Sequence, residues 1–320
     1  MSTTMRAAVC VGAGGPEVLE IREVPVPSVR DGWSLVRVLG AGLNRSELRT
    51  RQGHSPNVRF PRVLGIECVG VVAESTDPAL PEGTTVAAVM GEMGREFDGG
   101  YAEYALLPNA LLMPLTTALP WEVLAALPET YLTAQGALDT LGLGRTRLLI
   151  RGGTSSVGLA AASIAAGRGA EIAATTRRPD KAAALTAAGV AHVVVDDGGP
   201  LELPWPDGPD HVLDLVGART AVDSLRVVRR GGTVCVAGSL SGWSIADFQP
   251  VAMIPSGTRL TAFHSDDMKG RADVLQRIVG EVEAGVYRPN VDRVFRLAEI
   301  ADAHRYMEDD QASGKLVVVP

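Results

Sequence analysis

A short turn rich in Gly and Ser, at 152–158, contains the residues best suited to chemistry. The apolar run Arg147–Arg151 precedes it, an Ala-rich stretch follows, and the spacing is Gly152-x-x-Ser155-x-x-Gly158. Small residues let a backbone approach a pyrophosphate, and the N-terminus of the next helix presents N–H groups and a positive dipole end. The spacing departs from strict G-x-G-x-x-G, so the prediction depends on the order strand, turn, helix. An ordinary βα turn is the alternative to a dinucleotide site. The predicted cofactor contacts are Gly152, Thr154, Ser155, Ser156, Val157 and Gly158.

The strand predicted at 171–176 indicates which dinucleotide binds. An NAD site places a carboxylate at the end of this strand to hold the ribose 2′-hydroxyl. Here the strand ends in Thr-Thr, and basic residues follow. Hydroxyl, guanidinium and ammonium groups suit a 2′-phosphate, so the pattern favours NADPH. Asp180 favours the alternative, a solvated basic turn. The predicted contacts are Thr176, Arg177, Arg178 and Lys181.

Alternating strands and helices must position these residues. Strands are predicted at 147–151, 171–176, 192–195, 211–216, 233–237 and 259–263, and helices at 156–168, 179–188 and 219–229. This βαβ series predicts an α/β fold with a doubly wound parallel sheet. Val216, Gly238 and Phe263 lie at or just after the ends of later strands, and we expect them to contact the cofactor. The apolar last strand would be an edge, which predicts pairing with a second copy in a homodimer.

Composition excludes several classes of protein. The chain has 320 residues, which suggests two domains, and its net charge of -7 argues against a nucleic-acid partner. No apolar run approaches the ~18 residues of a membrane span. The three cysteines lie far apart in apolar runs, and no signal peptide is visible, so a cytoplasmic protein with free thiols is expected. Residues 1–117 are β-rich, and 267–320 contain predicted helices at 267–284 and 298–309 and strands at 291–297 and 315–319.

Several motifs resemble a known family over essentially the whole chain. They are Leu64-Gly-Ile-Glu67, Gly99-Gly-Tyr-Ala-Glu-Tyr104, Asp214-Leu-Val-Gly217 and the ending Gly314-Lys-Leu-Val-Val-Val. They are similar to medium-chain dehydrogenase/reductases, and among these to the zinc-independent NADPH:quinone oxidoreductases. The resemblance implies a GroES-like, β-rich catalytic domain built from 1–117 and 267–320. It also implies a Rossmann NADPH-binding domain at 118–266, with the active site in the cleft between the two.

The same resemblance implies that no catalytic metal is present. Zinc enzymes of the superfamily place Cys, His and Cys where this chain has Asn44, Ile66 and Glu129. Isoleucine cannot bind a metal, and a tetrahedral site needs three N, S or O ligands plus water. The cysteine-rich structural zinc lobe is missing from 90–100.

Without a metal, reduction of a conjugated C=C–C=O group needs less help than oxidation of an alcohol. The resemblance implies that Asn44 faces the substrate, where its amide would polarise a carbonyl; a turn-stabilising Asn is the alternative. Glu47 would orient Asn44 or a water, or else be a solvated carboxylate at a helix start. Thr133 is expected near the nicotinamide. Glu67 is expected to be a buried structural carboxylate, and Arg49 stands where many quinone reductases have Tyr.

The expected function is NADPH-dependent, zinc-independent reduction of a small quinone or enone. The basic loop 45–62 leaves a second interpretation open, because its arginines could bind an anionic group on an enoyl thioester or a dedicated biosynthetic enone. A solvated charged face is the simpler explanation of that loop. A third interpretation is an NADPH-binding protein without turnover, since no general acid is evident.

Overall fold

The structure is a computed structural model that describes residues 3–242 and 244–320. The chain divides into two compact units. The first unit contains the described residues of Met1–Glu129, Met268–Glu283 and Val291–Pro320, and the second contains those of Thr130–Asp267 and Ala284–Asn290. Both chain ends therefore contribute to the first unit.

The described residues form sixteen strands and nine α-helices. The strands are β1 (Thr4–Cys10), β2 (Leu19–Pro25), β3 (Trp33–Leu43), β4 (Arg62–Val63), β5 (Glu67–Ser75), β6 (Thr85–Val89), β7 (Tyr104–Pro108), β8 (Met113–Pro114), β9 (Arg147–Arg151), β10 (Glu171–Thr176), β11 (His192–Val195), β12 (His211–Asp214), β13 (Thr233–Val236), β14 (Arg259–Ala262), β15 (Val291–Arg296) and β16 (Lys315–Val319). The helices are α1 (Arg45–Arg51), α2 (Trp121–Leu124), α3 (Pro128–Thr140), α4 (Ser156–Gly167), α5 (Ala182–Ala187), α6 (Ala221–Val227), α7 (Pro250–Met253), α8 (Ala272–Glu283) and α9 (Ile300–Glu308).

Two sheets form the first unit. One has the order β2-β1-β4, and the other has the order β15-β16-β3-β5-β6-β8, with β7 also paired to β3. The long strand β3 is rich in Val and Leu and is buried along most of its length, with Val36, Val38, Ala41 and Leu43 in the core of this unit. Antiparallel pairing of β16 with β3 places Leu316 opposite Leu43. The residues just beyond this pair, Lys315 and Asn44, are therefore neighbours.

The second unit is a six-stranded parallel sheet with the order β11-β10-β9-β12-β13-β14. The chain reverses direction across the sheet between β9 and β12, which is the switch point at which doubly wound folds bind ligands. The interior positions of these strands are mostly apolar, as expected of a sheet that is covered on both faces. The predicted α/β fold, with a β-rich part and a parallel Rossmann sheet, is confirmed.

Predicted strands agree with the structure to within two residues, but several helices are shorter than predicted. The helix predicted at 179–188 is a 3₁₀ turn followed by α5. The helix predicted at 267–284 begins only at Ala272, because Gly270 has a left-handed backbone with φ of 68° that interrupts it. The last predicted helix likewise starts with a 3₁₀ turn before α9.

Two further expectations concern cysteines and membranes. Cys10, Cys68 and Cys235 are all buried, and none of them forms a disulfide, as predicted. Among the described residues, none of the helices is long and apolar enough to cross a membrane.

Candidate active site

Asn44 and Glu47 lie at the start of α1, directly after β3. Asn44 is the N-cap residue, and its backbone N–H donates to Glu47 Oε2 at 3.1 Å, in the arrangement of a capping box. The other oxygen of Glu47, Oε1, accepts the backbone N–H of Ile66 at 3.0 Å. Only 1% of Glu47 is exposed, so the alternative of a solvated carboxylate is wrong. The reason is that α1 packs its first turn against the loop before β5.

Glu67 is a completely buried carboxylate beside Asn44. Its Oε1 accepts Asn44 Nδ2 at 2.9 Å, and its Oε2 accepts the backbone N–H of Glu129 at 2.9 Å. A Cβ at Gly42 would collide with this carboxylate and with the Lys315 side chain, so the glycine makes room for both.

Lys315 completes the cluster, and sequence reasoning missed it as a site residue. It is the first residue of β16, and only 2% of it is exposed. Its Nζ donates to Asn44 Oδ1 at 2.6 Å and to Glu67 Oε1 at 2.5 Å. In the sequence, Lys315 appears only as part of the ending Gly314-Lys-Leu-Val-Val-Val, and a lysine before an apolar strand is usually a solvated charge.

Burial controls the acidity of this cluster. Desolvation raises the pKa of Glu47 to about 7, against the opposing effects of the Ile66 N–H and the Lys315 ammonium. Burial also raises the pKa of Tyr101 well above its ordinary value, and the nearby Glu47 and Glu67 carboxylates add to this. The cluster therefore has a carboxyl group whose charge changes near neutral pH.

Of the four residues in this cluster, Asn44 alone is partly accessible to solvent, because Glu47, Glu67 and Lys315 are buried. One Nδ2–H donates to Glu67, and a longer contact of 3.4 Å joins Nδ2 to Glu47 Oε1. A carbonyl oxygen that replaced the longer contact would receive a well-oriented donor. This is the arrangement that polarisation of a substrate carbonyl requires.

The residues at the three zinc-ligand positions do not fit a zinc ion. Ile66 has no ligating atom, and Asn44 Oδ1 already accepts from the Lys315 ammonium. A positive charge 2.6 Å from that oxygen opposes binding of a metal cation there. Within the ranges 3–242 and 244–320, no three His, Cys, Asp or Glu side chains are grouped so that they could hold a metal.

Three arginines of the basic loop 45–62 form ion pairs with carboxylates of the first unit. Arg45 pairs with Asp310 at 3.4 Å and Arg62 with Asp98 at 2.8 Å. Arg51 is fully buried and pairs with Glu308. Arg51 therefore cannot bind a substrate anion, and the loop offers less charge than its sequence suggests.

In the second unit, the Gly- and Ser-rich turn has the shape of a phosphate cradle. Gly152 has φ of 76°, and a Cβ on Gly158 would lie 2.5 Å from the Gly153 carbonyl oxygen. Ser155 is the N-cap of α4, and its hydroxyl accepts the Gly158 N–H at 3.1 Å. The first N–H groups of α4 have no acceptor within the helix, so they suit a pyrophosphate. Thr154, Ser156 and Val157 lie in the same turn.

The remaining predicted cofactor contacts also lie at the carboxyl ends of the parallel strands. Val216 follows β12, in a loop held by the buried Asp214 carboxylate, which accepts the N–H groups of Val216 and Gly217 at 2.9 Å each. Gly238 follows β13, and a Cβ there would collide with the backbone of Leu215. Asp214, which sequence reasoning gave no role, therefore shapes this edge of the sheet.

Phe263 and Thr133 lie near each other in the second unit. The Phe263 ring packs so closely on Gly136 of α3 that a Cβ there would collide with it. Thr133 is buried one turn earlier on the same helix. The structure therefore brings Thr133, predicted near the nicotinamide, and Phe263, a predicted cofactor contact, to one face of α3.

The basic turn after β10 is more fully paired than its sequence suggests. The buried Thr176 hydroxyl accepts the Arg178 N–H at 3.1 Å and donates to its carbonyl at 3.0 Å. The exposed Arg178 side chain forms a fork with Asp180, at 3.1 and 2.6 Å. Arg177 is exposed and Lys181 is buried. These residues remain predicted 2′-phosphate contacts, and Arg178 must exchange Asp180 for the phosphate.

Arg151 is a buried residue of this edge that sequence reasoning missed. It ends β9 directly before the Gly-rich turn, and its guanidinium contacts Asp196 at 2.7 Å and Asp223 at 2.5 Å. These pairs tie β9 to the ends of two other elements and so fix the base of the turn.

Two family models match the chain. One describes the alcohol dehydrogenase GroES-like domain and matches residues 30–117; the other describes a zinc-binding dehydrogenase and matches residues 188–318. Human quinone oxidoreductase is 28% identical over 98% of both chains. The chloroplastic NADPH-dependent alkenal/one oxidoreductase of Arabidopsis thaliana is 28% identical over 99% of this chain and 80% of its own.

A solved structure from Sinorhizobium meliloti 1021, described provisionally as an alcohol dehydrogenase, is 30% identical with a TM-score of 0.87. The match covers 100% of this chain and 98% of that one. The human and Arabidopsis relatives are both named as oxidoreductases, the first of quinones and the second of alkenals and alkenones. The chain is therefore an oxidoreductase of the medium-chain dehydrogenase/reductase superfamily and belongs to its zinc-independent quinone oxidoreductase subfamily.

Proposed function

We propose that this protein is an NADPH-dependent reductase of quinones or α,β-unsaturated carbonyls that works without zinc. The observation that carries the proposal is the Asn44 amide, which is partly accessible and oriented by buried charges at 2.6 and 2.9 Å. The names of the human and Arabidopsis relatives support this substrate class.

Reduction of such a substrate requires hydride transfer to a carbon atom and stabilisation of the negative charge that develops on the carbonyl oxygen. When bound, NADPH would supply a hydride to the β-carbon of an enone or to a quinone ring, and a proton from solvent would complete the two-electron reduction. Negative charge then develops on the carbonyl oxygen, and Asn44 Nδ2–H donates to that oxygen. Glu67 holds the amide in place. The substrate oxygen replaces Glu47 Oε1 as the acceptor of the longer contact from Asn44 Nδ2.

For the cofactor, we propose that Gly152, Ser155 and Gly158 form the pyrophosphate cradle, with the first turn of α4. Strand β10 ends in Thr176, whereas an NAD enzyme places a carboxylate at this strand end to bind the 2′-hydroxyl. Arg177, Arg178 and Lys181 together favour a 2′-phosphate.

The test is a screen of simple quinones and enones that follows NADPH absorbance, with wild type and Asn44→Ala. Loss of one such donor costs on the order of 2–4 kcal/mol, so kcat should fall roughly a hundredfold. NADPH affinity, measured by fluorescence titration, should change little because the Asn44 side chain bonds to Glu47, Glu67 and Lys315 and to no residue of the Gly152–Gly158 turn. An unchanged kcat would make Asn44 a purely structural residue. NADPH binding without reduction of any substrate would favour a cofactor-binding protein instead.

A further inference from the structure

The ammonium of Lys315 is the one cation bonded to the Asn44 side chain among the described residues, 2.6 Å from Asn44 Oδ1. It reaches this position through the fold, since β16 pairs with β3 and the two residues are 271 apart in the chain. Its other bond, to Glu67 Oε1, joins it to the carboxylate that also accepts Asn44 Nδ2. The three side chains thus form a closed triangle.

This triangle leaves one possible orientation for the Asn44 amide. An ammonium only donates, and an ionised carboxylate only accepts. Oδ1 must therefore face Lys315, and Nδ2 must face Glu67. Without Lys315, the amide oxygen would have no charged donor, and rotation of the amide would present the wrong atom to a carbonyl.

Lys315 also affects the strength of the donor. A charged N–H that donates to Oδ1 draws electron density from the amide, which makes the Nδ2 hydrogens better donors. Lys315 neutralises Glu67 at the same time, so that Asn44 is not held between two unbalanced carboxylates.

We propose that Lys315 is a positioning residue for carbonyl reduction, whose ammonium fixes the Asn44 amide so that Nδ2 is the edge offered to the substrate oxygen. This inference rests on the proposed function. Lys315 does not touch the substrate itself and acts through Asn44.

Four variants test the proposal. Lys315→Met removes the ammonium and leaves the buried Glu67 carboxylate without the charge that balances it, which can prevent folding. The double variant Glu67→Met with Lys315→Met removes both charges and keeps unbranched side chains of similar length, so it should fold. Glu67→Gln keeps the bond from Lys315 to Asn44. The control is Lys269→Met, a substitution at an exposed lysine.

The expected result is a fall in kcat of at least about tenfold for the double variant. KM for NADPH should stay within about twofold, because the side-chain bonds of Lys315 and Glu67 go to each other, to Asn44 and to the Glu129 N–H, and none goes to the Gly152–Gly158 turn. Glu67→Gln should lower kcat less than the double variant does, because it keeps the ammonium bonded to Asn44 Oδ1. Lys269→Met should match wild type. If Lys315 acts through Asn44, adding the double variant to Asn44→Ala should lower kcat by less than about twofold further.

Three results would overturn the proposal while leaving the proposed function intact. The first is wild-type kcat in a folded double variant when Asn44→Ala is impaired. The second is a loss of kcat that is additive with Asn44→Ala, which indicates a general structural effect. The third is a loss in Glu67→Gln as large as that of the double variant, which would assign the role to the carboxylate. If Asn44→Ala itself keeps full kcat, the proposed function of Asn44 fails first.

Discussion

Replacement of Glu47 by Gln should remove the pH dependence that this buried carboxyl gives to stability. Burial raises its folded pKa to about 7 from an ordinary 4.5. The folded chain therefore holds this proton more tightly than the unfolded chain does. The stability that this contributes is fully present below pH 4.5 and is lost as pH rises through about 7. The glutamine of the variant would resemble the neutral form of the carboxyl group at every pH.

The size of the effect follows from the two pKa values. At about 1.4 kcal/mol per pKa unit, the interval from 4.5 to about 7 corresponds to about 3 kcal/mol in the free energy of unfolding. Other ionisable groups are shared by both proteins, so they cancel in the difference. Relative to wild type, Glu47→Gln should therefore gain about 3 kcal/mol between pH 4.5 and pH 8.

The measurement is urea-induced unfolding at several pH values, with hydrogen exchange of peptides from β3 assigning the transition to the first unit. Glu122→Gln, at an exposed position on α2, is the matched control and should follow wild type. A constant free-energy difference between Glu47→Gln and wild type across this pH interval would refute the reasoning, because Glu47 would then be ionised throughout.

The same titration should lower kcat above about pH 7 in wild type, since an ionised Glu47 competes with the substrate oxygen for Asn44 Nδ2.

Three other predictions concern cofactor, metal and assembly. Replacing both Arg177 and Arg178 by Ala should raise KM for NADPH at least about tenfold, because charge-assisted contacts contribute about 1.5–3 kcal/mol each. NADH kinetics should barely change, and equal kcat/KM for the two cofactors in wild type would contradict the predicted preference. Elemental analysis of active protein should give far less than one zinc per chain; stoichiometric zinc with activity lost to chelators would show the opposite. Light scattering should give twice the 33.5 kDa mass of one chain, because β14 ends the parallel sheet and invites two-fold pairing. A mass of one chain at micromolar concentration would argue against the dimer.

The second unit could be predicted almost completely from local sequence. Its strands are short apolar runs, and its turns contain residues such as Gly152 and Gly217, both with positive φ. Because parallel strands place their carboxyl ends at one edge, the order of elements also predicted that Thr176, Val216 and Gly238 would lie along that edge. Helices α3 and α7 were not predicted, and α5 is shorter than predicted because a 3₁₀ turn precedes it.

The chemistry of the first unit was decided by tertiary structure. The sequence indicated Asn44, a buried Glu67 and, as one of two alternatives, Glu47 as a partner of Asn44. It did not indicate Lys315, because a lysine before an apolar strand reads locally as a solvated group. Pairing of β16 with β3 brings Lys315 to Asn44 across 271 residues, and packing of α1 buries Glu47. Pairing register and burial are long-range properties, so no local pattern reports which charge loses its water. That loss of water raises the pKa of Glu47 and makes the bond from Lys315 to Asn44 strong enough to orient an amide.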